Sequence, residues 1–365
     1  MTAAPQARAV GRLAAAPDTV LWGRLPCADD RPVVTIDAGD SLWIDTVSHE
    51  GILEDQGRDP VAFFACHGIA AADVLADAVR VAAEVEHDPD VDGPHVVTGP
   101  VRVRGARVGD ILSVTVLDLE MRAGYGIVSN RHGRGALPAE FPRGGSLDPV
   151  SILCTVDPAG SSGPAGAPGA SEPRRGSMPA GPGDHRRVRF PLRPFLGTMG
   201  VAVAGHERAH SVPPGPHGGN IDISLLGVGS TLHIPVQVDG ALAYVGDPHY
   251  AQGDGEVALT AFEAPLRAHL RFDVIPREAF VVPRTLWAET SELLVPIGLD
   301  ADLGEAMRAA TRAAVNLLAD AGMDPSYAYA YLSAAGDFAV SQVVDRVCGV
   351  HGTIRKADLV ELLQI

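Results

Sequence analysis

The sequence predicts a mainly β protein whose C-terminal part is α+β. Three observations carry this. Glycine (41) and proline (29) are abundant and dispersed along the 365 residues, which favours short strands joined by turns over a helical bundle. Runs of β-branched residues with period-two alternation recur through the first two thirds of the chain. Helix-period patterning becomes strong only near the end.

The strand candidates in order are PVVTID (32–37), SLWIDTVS (41–48), ILSVTVLDLE (111–120) and STLHIPVQVDGALAYVG (230–246). VRVRGARVGDILSVTVLDL alternates, breaks at Gly105 and at Gly109-Asp110, then alternates again, which predicts a hairpin-like unit. The spacing of apolar residues predicts a helix over 70–86 and a clearer one over 301–322, with acids in its first turn and Gly322 at its end. DPSYAYAYLSAAGDF predicts a further helix packed on the second. Between 157 and 185, Gly, Pro, Ser and Ala dominate, the composition of a flexible surface insertion. The expected division is therefore 1–155, a β-rich part; 156–186, the insertion; 187–298, a β-rich part; and 299–365, an α+β segment.

Composition excludes several functions. A formal charge of −16, from 29 basic against 45 acidic residues, disfavours nucleic acid or an anionic membrane as a main partner. Cys27, Cys66, Cys154 and Cys348 form no C-x-x-C pair, so neither a zinc finger nor a disulfide framework is indicated. Cys66 precedes His67, but neighbours in sequence diverge in space, and Cys66 is expected to be a small core residue. There is no signal-peptide core and no apolar run of membrane-spanning length, and the expected location is the cytoplasm. No phosphate-binding loop, H-E-x-x-H or G-x-S-x-G is present. His206, His210, His233 and His269 are expected to be structural or solvated.

Potential chemistry gathers in two stretches. GDPHYAQGDGEVALTAFE (246–263) holds two aspartates, a histidine and two glutamates at the mouth of a strand-like run. PPGPHGGNIDISLLGVG (213–229) offers His217, two glycines, then Asn220 and Asp222 at i, i+2 spacing, the spacing also of Asp247 and His249. Asp or Asn beside Gly commonly only makes a turn. Turns alone do not call for His249, Gln252 and Glu256 as well, and two converging pairs would form a carboxylate–imidazole cage for a divalent ion. The candidate metal contacts are Asp222, Asp247 and His249, with His217 or His49 as additions. Glu256 is the preferred acid–base residue and Asp254 the second, while Asn220 and Gln252 are candidate hydrogen-bond donors to substrate. Zinc suits the mixed donor set better than calcium.

TGPVRVRGARVGDILSVTVLDLE, FLGTMGVAVA, HGGNIDISLLGVGSTLHIPVQVDGALAYVGDPHYAQGDGEVALTAFE and SAAGDFAVSQVVD, in this order, resemble the acetamidase/formamidase family from about Thr98 to Asp345. The resemblance implies hydrolysis of small linear amides to carboxylate and ammonia. It also implies a jelly-roll-like β-sandwich with a smaller β-barrel portion, assembled as a homo-oligomer. Two departures bear on substrate preference: Ile221 stands where the family usually has Met, a mild change in an apolar position, and Tyr250 replaces a commonly small residue and is expected to narrow or reshape the pocket. A larger or cyclic amide on the same scaffold, or a non-catalytic β protein binding calcium or a sugar, are the competing expectations.

Overall fold

The computed structural model describes residues 9–144, 148–158, 174–279 and 285–363. Among these, strands form a nine-stranded sheet, an eleven-stranded sheet and a two-stranded one. The mainly β expectation holds. Leu266–Ile275, at the heart of the first sheet, buries every second residue along its first seven and pairs antiparallel with Ser41–Asp45 and Ile111–Met121. Leu42, Leu112, Val114, Leu270 and Phe272 from that sheet meet Val101, Leu196, Met199, Val245 and Phe262 from the other in one apolar cluster. At roughly 25 cal/mol per Å² of apolar surface removed from water, this shared cluster is the main force holding the sheets together.

Two expectations about pairing fail for one reason. Val96–Arg104 and Ile111–Met121 are both strands, but the first lies in the eleven-stranded sheet and the second in the nine-stranded one. The intervening turn bonds instead to 236–240: Val103 N–H donates to Gly240 O, and Gly109 N–H to Val236 O. The run 230–246 likewise divides into Thr231–Pro235 in the first sheet and Ala243–Ala251 in the second. Gly240, Ala241 and Leu242 all have positive φ at the crossing. Alternation marks a strand but not its partner.

The helix expected over 70–86 is a 3₁₀ turn at Ala71–Asp73 followed by a helix at Ala76–Glu84. The helix Leu303–Asp320 starts where the Asp302 carboxylate accepts from Glu305 N–H at 2.9 Å, and Gly322 follows its end with φ +98°. Its small-residue stripe, Ala306, Ala310 and Ala314, lies on the first sheet. A Cβ on Gly298 would stand 2.2 Å from both Ala306 O and Ala310 N, so only glycine permits this approach. Pro325–Ala335 packs against this helix, capped by Asp324.

Of the stretch 157–185, residues 159–173 lie outside the described residues. Its later part is not a loop: Arg175–Pro179 is a strand paired with both Val150–Val156 and Arg187–Pro191. No described helix is long and apolar enough to cross a membrane. Cys66 ends the helix Pro60–Cys66 and is exposed, contrary to the expected core position.

Candidate active site

Register assembles the site. Strand Phe195–Gly200 runs between Gly218–Asn220 and Ala243–Ala251, so Thr198 faces Asn220 on one side and Gly246 on the other. Asp222 and Asp247, each just past one of these partners, therefore converge beside Gly197. A Cβ on Gly197 would lie 2.3 Å from Asp222 Oδ1 and 2.8 Å from both Asp247 Oδ2 and His249 Cε1, so the space belongs to the cluster. On the next strand, His249 pairs across to Glu263, bringing its Nε2 to 2.9 Å from Glu263 Oε1 and 3.2 Å from Asp247 Oδ2. Asp222, Asp247 and Glu256 all hold positive φ (47°, 49° and 45°), a backbone state uncommon for non-glycine residues.

The rest of the constellation comes from far away in sequence. The segment after Ser41–Asp45 in the other sheet brings His49, whose Nδ1 is 3.2 Å from Asp247 Oδ1. His95, entering strand Val96–Arg104, sets its Nε2 3.9 Å from Asp247 Oδ2. A parallel bridge between Gly255 and Gln342 delivers Asp345 to Glu256 and Asp222. Four overlapping triads have donor atoms within 4.8 Å of one another: His49/His95/Asp247, Asp222/Asp247/His249, His249/Glu256/Glu263 and Asp222/Glu256/Asp345. All of these residues are buried.

The hydrogen bonds place a proton on Nδ1 of His249. The Gln252 amide nitrogen donates to Asp222 O at 2.8 Å and Ser341 O at 3.1 Å, so its Oε1 must accept from His249 Nδ1–H at 3.1 Å. His249 Nε2 is thereby turned to the carboxylates. Glu50 supports His49 in a similar way. It faces His49 Nε2 at 3.5 Å and accepts from Ser129 Oγ (2.7 Å), Arg131 Nη1 (2.8 Å) and Gln56 Nε2 (2.5 Å).

Electrostatics reflect crowding. Burial, then the charges of Glu256, Asp345 and Asp247, pushes Asp222 well above the carboxylate range. Glu256 is raised in the same way by burial, with Asp345, Glu263 and Asp247 adding to it. Burial also drives Asp345 up to about 7. Burial opposes charge on Asp247 too, but His95 and His249 outweigh it and hold this carboxyl well below its usual value. Burial alone lowers His217 to about 4. Asp222 Oδ1 and Oδ2, Asp247 Oδ1, Glu263 Oε2 and Asp345 Oδ2 are buried without a hydrogen-bond partner. Buried carboxylate oxygens without partners cost several kcal/mol unless a cation answers them. Five carboxylates and three imidazoles in one place are a donor set that a divalent cation fits.

Of the residues expected from sequence, Asp222, Asp247, His249, Glu256 and His49 are brought together. Asn220 lines the adjoining cavity and its Oδ1 accepts from Thr198 Oγ1 at 2.7 Å. Gln252 orients His249 rather than facing the cavity. Asp254 is exposed and bonded by Ser224 Oγ, and His217 is buried outside the four triads. Tyr250 does not line the pocket: it is fully buried, and its hydroxyl lies 2.9 Å from the carbonyls of both Ala123 and Pro265, with one proton to give to either. His95, Glu263 and Asp345 were not foreseen. Glu263 closes the acidic stretch and Asp345 closes the last segment of the family resemblance, so position within those segments was the available signal.

The cavity adjoining the cluster is about 310 Å³, and His49, His95, Asn220, Asp247, Glu256 and Asp345 are among the residues that line it. The fold and the site thus define a β protein with a buried carboxylate–imidazole centre. Residues 67–148 and 193–354 match the Acetamidase/Formamidase family, and the chain belongs to that family. It is 30% identical over 207 residues to an acetamidase of Mycolicibacterium smegmatis (47% of this chain, 50% of that one). It is 32% identical over 203 residues to a formamidase of Methylophilus methylotrophus (47% and 49%). The chain spans about half the length of these curated relatives. The fold is shared with solved acetamidases of Bacillus halodurans (TM-score 0.71, 23% identity, 96% of this chain and 99% of that one) and Yersinia enterocolitica (0.73, 23%, 98% and 94%).

Proposed function

We propose that the chain hydrolyses the C–N bond of linear amides, releasing a carboxylate and ammonia, with the buried cluster holding a divalent cation. The observation that carries this reading is the set of unpartnered, buried carboxylate oxygens around His249, those of Asp247, Glu263 and Asp345 belonging to residues that line the cavity. Family membership supports the reaction class. Asp222, Asp247 and His249 would hold the cation, with His49, His95, Glu263 and Asp345 supplying further donors around it. Three imidazoles in the set favour zinc over calcium. When bound, such an ion polarises a carbonyl and makes water acidic enough to attack it near neutral pH.

The protein's own groups do the rest. Gln252 keeps the proton of His249 on Nδ1, away from the carboxylates. Asn220, on the cavity wall, supplies an amide donor for the carbonyl oxygen. Glu256 takes a proton from the attacking water as the C–O bond forms and passes it to the amide nitrogen as the C–N bond breaks. Such proton transfer contributes roughly 10²–10⁴-fold. The burial that raises Glu256 makes it a better base than a solvated carboxylate. The cytoplasm as location and a homo-oligomeric assembly belong to the same proposal.

Ammonia release from formamide and acetamide, compared between the wild-type protein and Asp247→Ala, tests this. The wild type should release ammonia and the variant should lose both activity and bound metal. An Asp247→Ala protein with full activity and full metal content would sink the assignment.

A further inference from the structure

The cavity is larger and more differentiated than formamide or acetamide requires. Its volume of about 310 Å³ falls at the lower end of pockets that hold drug-sized ligands, roughly 300–1,000 Å³. Beside the carboxylates and imidazoles, Leu53, Val212, Leu259 and Val344 contribute apolar lining. Arg134 and Arg346 also line it, and both are exposed. Arg346 directly follows the buried Asp345 and holds φ +64°, a strained backbone state at the site's edge.

The two exposed arginines differ from most of the other charged residues of the lining. Arg131 is engaged by Glu50 and Asp55, Glu54 by Arg58 and His87, and Asp92 by Arg24. Among the described residues neither Arg134 nor Arg346 has an ion pair or a side-chain hydrogen bond, and of the lining acids Asp90 and Glu256 are likewise without one. Their positive charge is felt at the rim: His210, also on the lining, is depressed first by burial and then by Arg346, Arg24 and Arg134. A neutral small amide gains nothing from two free guanidinium groups. Their planar fork matches the paired oxygens of an anion such as a carboxylate.

We propose that the preferred amide is a chain with a carboxylate at its far end, an ω-amide of a dicarboxylic acid. The amide rests on the floor, the methylene chain runs along the apolar wall, and the carboxylate meets Arg134 and Arg346. This rests on the amide-hydrolase reading and adds the substrate class to it. Hydrolysis adds one water, breaks the C–N bond and leaves ammonia with a dicarboxylate.

The test compares kcat/KM for adipamate and hexanamide, chains of matched length, with acetamide as reference. Adipamate should be favoured at least tenfold, mainly through KM, and the advantage should shrink as salt screens the exposed rim. In the double variant R134Q/R346Q the adipamate-to-hexanamide ratio should fall toward one. Equal or better turnover of hexanamide, or a preference that survives R134Q/R346Q, would overturn the proposal. Turnover of acetamide but of neither longer amide would overturn it while sparing the amide-hydrolase reading. Turnover of none of the three would remove both.

Discussion

Gly197→Ala is the smallest change that should disable the centre. The φ of Gly197 is not in the left-handed region, so an alanine backbone fits there and only the added methyl matters. That methyl would sit 2.3 Å from Asp222 Oδ1, 2.8 Å from Asp247 Oδ2 and 2.8 Å from His249 Cε1. Ordinary contact begins near 3.4 Å, so Asp222 must retreat by about 1 Å. It has little room: its backbone N–H is tied to Gly197 O at 3.2 Å, and its carbonyl is held by Gln252. Overpacking of this kind costs about 1–3 kcal/mol, which denaturant unfolding would register. A displacement of about 1 Å in a reacting group costs on the order of 10²-fold in rate. Ammonia release from acetamide should therefore drop about 100-fold, and zinc affinity measured by calorimetry should fall with it. A Gly197→Ala protein that folds, binds zinc and turns over acetamide as the wild type does would refute the claim that Asp222, Asp247 and His249 act as one centre.

Other substitutions probe separate parts. Asp345→Asn should weaken zinc binding yet stabilise the zinc-free protein. The folded-state pKa of Asp345, about 7, lies above its unfolded value, so wild-type stability falls as pH rises from about 4 through 7. The variant escapes this fall, by about 4 kcal/mol at most at pH 8, and thermal unfolding of the two chelated proteins should converge near pH 4. Gln252→Leu removes the acceptor for His249 Nδ1 and should reduce zinc affinity about 10–100-fold, as read by titration with a competing chelator. Far from the site, Glu289 is lowered to about 2: burial opposes its charge, but His233 and Lys356 outweigh that. This stabilisation is present above its unfolded pKa and is lost as pH falls through about 2. Glu289→Gln should cost about 1–2 kcal/mol at pH 7, after discounting for the partial exposure of the side chain, and nothing near pH 2.

Much of the centre was legible because four of its residues lie on two short segments. Asp222, Asp247, His249 and Glu256 are within 35 positions, and glycines flank them where the backbone turns through positive φ. His49 could be proposed only as an addition, since nothing in the sequence says that the segment after Ser41–Asp45 crosses to the other sheet. His95 is a lone histidine before an apolar strand, and Asp345 is held by the bridge at Gly255, 90 positions earlier. Contacts of that range depend on register, which alternation does not encode. Asp254 fails for a related reason: two positions from Glu256 on an irregular loop, it turns outward instead of sharing a face. Tyr250 adjoins His249 on a strand, and the pleat sends neighbours to opposite faces, so a site on the His249 face leaves Tyr250 to the core.

The strand and helix assignments split in the same way. Local signals worked where the determinant is local: the Asp302 and Asp324 caps and Gly322 define both C-terminal helices. They failed at 96–121 and 230–251, where one alternating run supplies strands to two different sheets.

The most direct measurement is ammonia release from acetamide by the purified protein before chelation, after exhaustive chelation and after zinc is restored. Activity that disappears with the metal and returns with zinc, while circular dichroism shows the fold intact throughout, is the result expected for a cation held by Asp222, Asp247 and His249. Activity undiminished in protein shown by elemental analysis to be free of metal would contradict it.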